Sequence, residues 1–350
     1  MTDYAKSMEA AREAVHYACA VCRDLQGRLG EMQSRFKDDK SPVTVADFAS
    51  QAMVAYILTA RLGRVRLVAE EDAAALRAQI ERGDSSMAEA VAEAVRPWWD
   101  DVTVEDVLDA IDVGNAEPAS SSGLHGFWTL DPIDGTKGFL RGGQYAVSLA
   151  WIEHGAPLIG VLGCPNLSLD YSRPFDDLDP RGVLYLAASG EGVVEAPGDD
   201  PAAHANKVVR LEPAEGEPVR LCESVESGHT SHDLSERVLE RLGEPAEPAR
   251  LDSQAKYAVV ARGQADLYLR LPQPPKPGKG EYIERIWDHA AGALVAREAG
   301  CAVTDVFGRE LDFGHGKGLE KNRGVVVAPV RLHGMAIGAL EELGSFRHPE

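Results

Sequence analysis

The chain has 350 residues, beyond the size at which a single hydrophobic core usually stops growing, so two domains or one large layered unit are expected. With 44% hydrophobic and 26% charged residues the composition is that of a globular protein, and no apolar stretch is long enough to span a bilayer. A net charge of −20, from 36 basic against 56 acidic residues, excludes a general affinity for nucleic acid or anionic membranes; a polyanionic ligand would need a local basic patch or bound cations.

The start, Met1-Thr2-Asp3-Tyr4, has neither a basic n-region nor an apolar h-region, which reads as a cytoplasmic protein without an export signal. Residues 4–28 carry Ala, Val, Tyr and Leu at helical spacing. Cys19 and Cys22 form a C-x-x-C inside that pattern, and with five cysteines in all the pair reads as buried helix surface rather than a redox switch. A polar stretch over 37–42 precedes a second helix, opened by 44–47 and running to about 62. Residues 65–69 read as a strand ending at Glu70-Glu71-Asp72; 73–122 are acidic and helical, becoming loop-like over 115–122.

Residues 127–130 read as a buried strand, with Asp131-Pro132-Ile133-Asp134-Gly135-Thr136 as the turn after it. Strands follow at 145–152 and 157–162 around a turn at His154-Gly155, then a hairpin over 183–187 and 192–194 and an exposed connection over 195–218. Beyond it strand and helix alternate: strands at 219–222, 249–251, 265–270 and from 303, helices at 232–242, 255–262 and 286–299, and a Pro/Lys/Gly loop over 273–280. This order, α+β first and α/β second, points to a layered α/β sandwich with a cleft between an N-terminal half, 1–155, and a C-terminal half, 156–350.

The strongest chemical signal is Asp131-Pro132-Ile133-Asp134-Gly135-Thr136. Two carboxylates at the end of a buried strand are costly unless cations neutralise them, and hard cations such as Mg²⁺ take oxygen ligands. Gly135-Thr136-Lys137-Gly138 can open a helix whose free N–H groups face a phosphate. Taken singly, Asp47 and Asp288 read as helix caps and Glu70-Glu71-Asp72 as solvated surface.

Together these segments form a pattern. Asp131–Thr136 and Trp287-Asp288-His289-Ala290-Ala291-Gly292 resemble the two signatures of the inositol monophosphatase superfamily, Mg²⁺-dependent and lithium-sensitive phosphatases. Val68–Asp72 and Ser41–Asp47 resemble its other two acidic segments, in the same order. Lys40–Asp47, Thr136–Gly142, Val225–His232 and Leu251–Tyr257 further resemble the branch of 3′(2′),5′-bisphosphate nucleotidases, which act on adenosine 3′,5′-bisphosphate in sulfur assimilation and in some cases on 3′-phosphoadenylyl sulfate.

The resemblance implies a layered αβαβα sandwich and two or three Mg²⁺ ions. Glu70, Asp131 and the Ile133 carbonyl would hold one ion, and Asp131, Asp134 and Asp288 a second, placing most ligands in the N-terminal half. Asp47 and Glu70 would help hold a third, and Asp47 with Thr136 would orient and deprotonate the attacking water. Gly135, Thr136, Ser227, His229, Ser253, Lys256 and Arg270 would contact substrate, the last two holding the spared 5′-phosphate or the adenine side, far from the metals. Apart from the resemblance, Lys256 and Arg270 read as a surface lysine and an ordinary strand-edge arginine. His229, His232 and Cys222 are too few ligands for zinc, and His232 reads as a helix entry. The implied reaction is direct attack by water on the 3′-phosphate, without a phosphoenzyme. Inhibition by Li⁺ and by excess Ca²⁺ goes with it. An inositol (poly)phosphate phosphatase is the alternative within the superfamily; a non-catalytic acidic binding protein is the remote one. The expected partner is a small nucleotide, with no nucleic acid polymer and no membrane, on a monomer or homodimer.

Overall fold

The computed structural model describes residues 3–30, 41–118, 126–211, 217–225, 231–243, 248–273, 282–344 and 346. Two long helices open the chain, α1 (Tyr4–Gly27) and α2 (Ser41–Leu62). Asp3 caps α1 by accepting from the Lys6 amide at 3.1 Å, and Ala10, Ala11, Ala14, Val15, Ala18 and Cys22 form its buried stripe. After strand β1 (Leu67–Ala69) come helices α3 (Ala74–Glu81), α4 (Ser86–Val95) and α5 (Val104–Asp112). The acidic segment is therefore three short helices, α4 and α5 packing back on α2.

β2 (Phe127–Asp134) and a short helix α6 (Thr136–Leu140) lead into a meander of β3 (Ala146–Glu153), β4 (Ala156–Cys164), β5 (Val183–Ala188), β6 (Gly192–Pro197) and β7 (Asn206–Lys207). β1 to β7 form one sheet in sequence order, parallel only at β1–β2. The second half supplies β8 (Leu221–Glu223), α7 (His232–Leu242), β9 (Ala249–Arg250), α8 (Ala255–Ala261), β10 (Leu267–Arg270), α9 (Ala290–Glu298), β11 (Cys301–Thr304), β12 (Val325–Pro329) and α10 (Val330–Leu343). Its five-stranded sheet has the order β11-β12-β10-β8-β9.

Three apolar cores separate five layers. The first lies between α1, α2 and one face of the large sheet. The second holds α8 and α9 between the two sheets, and the third lies under α7 and α10. The chain thus has the αβαβα layering. α9 is buried from Ala290 to Ala296, and its small side chains let both sheets approach it. β4 is squeezed from both sides: a Cβ on Gly160 would meet the Ala291 carbonyl at 3.2 Å, and one on Gly163 would meet Cys19 Sγ at 2.3 Å. The 155/156 division falls in the turn of the β3–β4 hairpin, whereas the chain changes sheets between β7 and β8. Among the described residues, no helix is long and apolar enough to cross a membrane.

Several elements differ from the sequence reading. β2 does not turn at Asp131 but pairs with β3 as far as Asp134. α9 begins at Ala290, so Asp288 stands in the turn before it rather than at a helix start. Asp47 lies within α2 and is not a cap. β12 and α10 were not foreseen, although Val325-Val326-Val327 is a β-branched run. Cys19 and Cys22 are buried, and burial pushes the Cys19 thiol up to about 12, as expected of helix surface facing a core.

Candidate active site

The site grows from a β-bulge. Asp131 pairs with Ser148 and Asp134 with Ala146, so three steps along β2 match two along β3. The extra residue puts Asp131 and Asp134 on one face, where strict alternation would have opposed them. Pro132 has no N–H to give to a ladder, and the Ile133 amide donates to Asp131 Oδ1 at 3.1 Å instead. At the end of the strand Gly135, at φ +84°, swings the chain into α6, and Thr136 Oγ1 donates to the Ile133 carbonyl at 3.3 Å.

Helix α2 holds the next segment through residues at helical spacing. Ser50 Oγ donates to the Pro132 carbonyl at 2.8 Å, and Gln51 binds both backbone groups of Glu71, at 3.1 and 2.7 Å. Gln51 thereby ties the acidic loop after β1 to the helix that carries Asp47 one turn earlier.

The C-terminal half closes the site. Ser253 takes φ +69°, costly for a residue with a Cβ, and packs against Gly135, where a Cβ would lie 2.9 Å from its own. This turn aims the Gln254 amide at Asp134 Oδ2, 2.6 Å away. Lys256 Nζ donates back to the carbonyls of Ser253 and Leu251, at 2.7 and 3.2 Å.

One cavity of about 290 Å³ is lined by Glu70, Asp131, Ile133, Asp134, Gly135, Thr136, Ser253, Lys256, Arg270 and Asp288, with Asp252, Gln254, Tyr268 and Tyr282 among the rest. Thus every predicted site residue of the described set lines it except Asp47. Asp47 is buried beside it: burial, Glu71 and Glu70 hold its carboxyl well above the ordinary carboxylate range. Ser227 and His229 lie outside the described residues.

The carboxylates repel one another. Burial, then Glu70, Asp134, Asp288 and Asp47, push Asp131 well above its ordinary value. Burial and Glu71 raise Glu70 to about 7, though its side chain still reaches the open cleft; burial and Asp134 raise Asp288 to about 8. A crowded group of oxygen donors, partly buried and unable all to ionise alone, suits hard divalent cations, so the residues present fit Mg²⁺.

Lys256 and Arg270 depart from the sequence reading. Lys256 is 3% exposed and not on the surface, and Arg270 is on β10, the middle strand of its sheet, not at an edge. Neither is far from the acids: burial raises the Asp134 carboxyl, and Lys256 and Arg270 offset part of that rise, as Arg270 does for Asp288. Glu284, which the sequence reading passed over, holds Arg270 at 2.6 Å and His289 at 3.2 Å, while His289 meets the Tyr257 hydroxyl at 2.7 Å. Despite its burial, Arg270 and His289 bring Glu284 down to about 2. Glu284, Asp288 and His289 present ligand atoms within 4.8 Å of one another, but Glu284 is already engaged by the arginine. Neither Gln254 nor Glu284 is marked in the sequence, because Gln254 acts on Trp287 and Gly292 and Glu284 on Arg270, which only the fold brings to them.

Residues 3–345 match the inositol monophosphatase family. The chain belongs to that family of phosphatases. It is 39% identical to a 3′(2′),5′-bisphosphate nucleotidase of Emericella nidulans, over 88% of this chain and 90% of that protein. It is 39% identical to another of the same name from Oryza sativa, over 97% and 94%. The fold matches the inositol monophosphatase of Anabaena with a TM-score of 0.58 at 19% identity, covering 98% of this chain and 97% of that one.

Proposed function

We propose that this chain is a Mg²⁺-dependent 3′(2′),5′-bisphosphate nucleotidase that removes the 3′-phosphate of adenosine 3′,5′-bisphosphate to give AMP and phosphate. The observation that carries it is the convergence of Glu70, Asp131, Asp134 and Asp288 on one cavity also lined by Lys256 and Arg270. The similarity to nucleotidases over nearly the whole chain favours a nucleotide substrate.

In this reading Glu70, Asp131, the Ile133 carbonyl, Asp134 and Asp288, with Asp47 beside them, hold two or three Mg²⁺ ions. When bound, such ions screen the phosphate dianion, lower the pKa of water and stabilise a departing alkoxide. Thr136, its hydroxyl held against the Ile133 carbonyl, orients the attacking water, and Asp47 accepts the water's proton. Water adds in line to phosphorus, the bond from phosphorus to the ester oxygen breaks, and no carboxylate of the chain is phosphorylated. Among the described residues Lys256 donates to two carbonyls, and in this reading its third ammonium hydrogen goes to the substrate. Because Lys256 and Arg270 stand beside the carboxylates, they serve the phosphate nearest the reaction rather than a distant one.

The test is phosphate release, with Mg²⁺, from adenosine 3′,5′-bisphosphate, 3′-phosphoadenylyl sulfate and inositol mono- and bisphosphates. The bisphosphate nucleotide should give the highest kcat/KM; a much higher value for an inositol phosphate overturns the assignment. Li⁺ and excess Ca²⁺ should inhibit, Ca²⁺ because it prefers longer bonds and more ligands.

A further inference from the structure

Asp134 lies on the large sheet and Asp288 at the start of the helical layer beside it, and something must set their separation. Asp134 ends β2, and Asp288 stands in the turn before α9. Gln254, 2% exposed, touches both segments. Its backbone amide donates to Asp134 Oδ2 at 2.6 Å. Its side-chain Nε2 donates to the Trp287 carbonyl at 2.8 Å, and its Oε1 accepts from the Gly292 amide at 2.9 Å.

We propose that Gln254 is a positioning residue whose side chain braces the Asp288 turn against the strand that carries Asp134, and so sets the separation of the two carboxylates. The inference rests on reading both as metal ligands.

The two side-chain bonds straddle Asp288, one on the residue before it and one in the first turn of α9. His289, at the N-cap of α9, makes no side-chain cap bond. The Gly292 amide is one of the donors a helix start leaves without an intrahelical partner, and Gln254 supplies its acceptor from another element. A neutral amide suits the place because it offers a donor and an acceptor together. Gly292 leaves room for it: a Cβ there would lie 3.0 Å from Gln254 Oε1 and 2.5 Å from the Tyr257 ring. On the other side, Ser148 Oγ, opposite Asp131 in the ladder, donates to the same Trp287 carbonyl at 3.2 Å. The left-handed turn at Ser253 brings Gln254 to this point, which gives that strained residue a purpose beyond contacting substrate.

The test uses the full chain stripped of metal, with Mn²⁺ alone as the probe, its binding followed by electron paramagnetic resonance, and melting followed separately in chelator. Gln254→Met, of similar length but without hydrogen bonds, should weaken Mn²⁺ binding by the folded protein about 10- to 100-fold, as loss of partners that orient metal ligands does. Equal Mn²⁺ affinity with only a lower melting temperature overturns the inference, because a purely structural glutamine would behave that way. If Gln254→Met does not fold, Gln254→Asn decides, since it keeps the amide but is one methylene too short to reach both the Trp287 carbonyl and the Gly292 amide: weaker Mn²⁺ binding upholds the brace, and unchanged binding overturns it. Failure of the unaltered protein to bind Mn²⁺ would instead sink the reading of Asp134 and Asp288 as metal ligands.

Discussion

Two sets of buried acids in this molecule are built on opposite principles. Asp266, 2% exposed, accepts from Arg220 Nε and NH2 at 2.8 Å each, from the Arg220 amide at 3.0 Å and from Arg210 at 3.3 Å. Asp305, fully buried, likewise accepts from the Phe307 and Arg309 amides and the Arg309 guanidinium. Asp131, 3% exposed, faces Glu70, Asp134, Asp288 and Asp47. The first two acids are neutralised by the chain and hold loops in place. The third stands among like charges, an arrangement that lowers stability and is sensible only where cations from outside complete it.

Asp134→Asn should cut Mg²⁺-dependent turnover by about 10²–10³-fold, the scale of losing one electrostatic anchor of a transition state, with the circular dichroism spectrum unchanged. Retained turnover would remove Asp134 from the site. Asp266→Ala should do the reverse. By removing the carboxylate that Arg220 and Arg210 share, it should cost about 3 kcal/mol in urea unfolding, while the folded fraction keeps its kcat.

In the presence of chelator, stability should depend on pH through Asp288. Asp288 rises to about 8 in the folded chain from an ordinary 3.8, so the folded state binds this proton more tightly than the unfolded state. The associated stability is complete below about pH 4 and is lost as pH rises through about 8. Asp288→Asn, which cannot ionise, should therefore gain on the unaltered protein between pH 5 and pH 8, by on the order of 1 kcal/mol in urea midpoints. Mg²⁺ should reverse the order by binding the unaltered folded state. An advantage independent of pH would mean that Asp288 does not carry the strain.

Lys256→Met should raise KM for the nucleotide about tenfold, the scale of one charge-assisted hydrogen bond, with a smaller change in kcat. Equal KM would confine Lys256 to bracing its turn. The smallest effect concerns sulfur: all five cysteines are buried, so a thiol reagent should find no fast-reacting group until the chain is unfolded. A fast-reacting Cys19 or Cys22 would revive the redox reading.

Much of this was legible beforehand, for identifiable reasons. α1 and α7 follow from long periodic stripes, and the hairpin turn at His154-Gly155 from local turn chemistry. The acidic segments were legible as candidates because burying Asp131 and Asp134 at the end of an apolar strand already demands cations. Gln254 and Glu284 were not, since a glutamine or glutamate beside a helix has no local mark of the carbonyl or guanidinium it will meet. Lys256 misleads by composition alone. Lysine is ordinarily exposed, and the Ser253 and Leu251 carbonyls and the nearby Asp134 help make its burial tolerable.

By itself the amino-acid order determined the layered class, the succession of helices and strands, and the four acidic segments, because periodicity, turn residues and charge are local properties of a chain. The folded chain was needed to show that a bulge sets Asp131 and Asp134 on one face and that Asp47 is buried beside them. It alone placed Lys256 and Arg270 at the carboxylates and Gln254 across to the Asp288 turn. Those outcomes depend on register and on packing between layers, and residues far apart in sequence settle both at once.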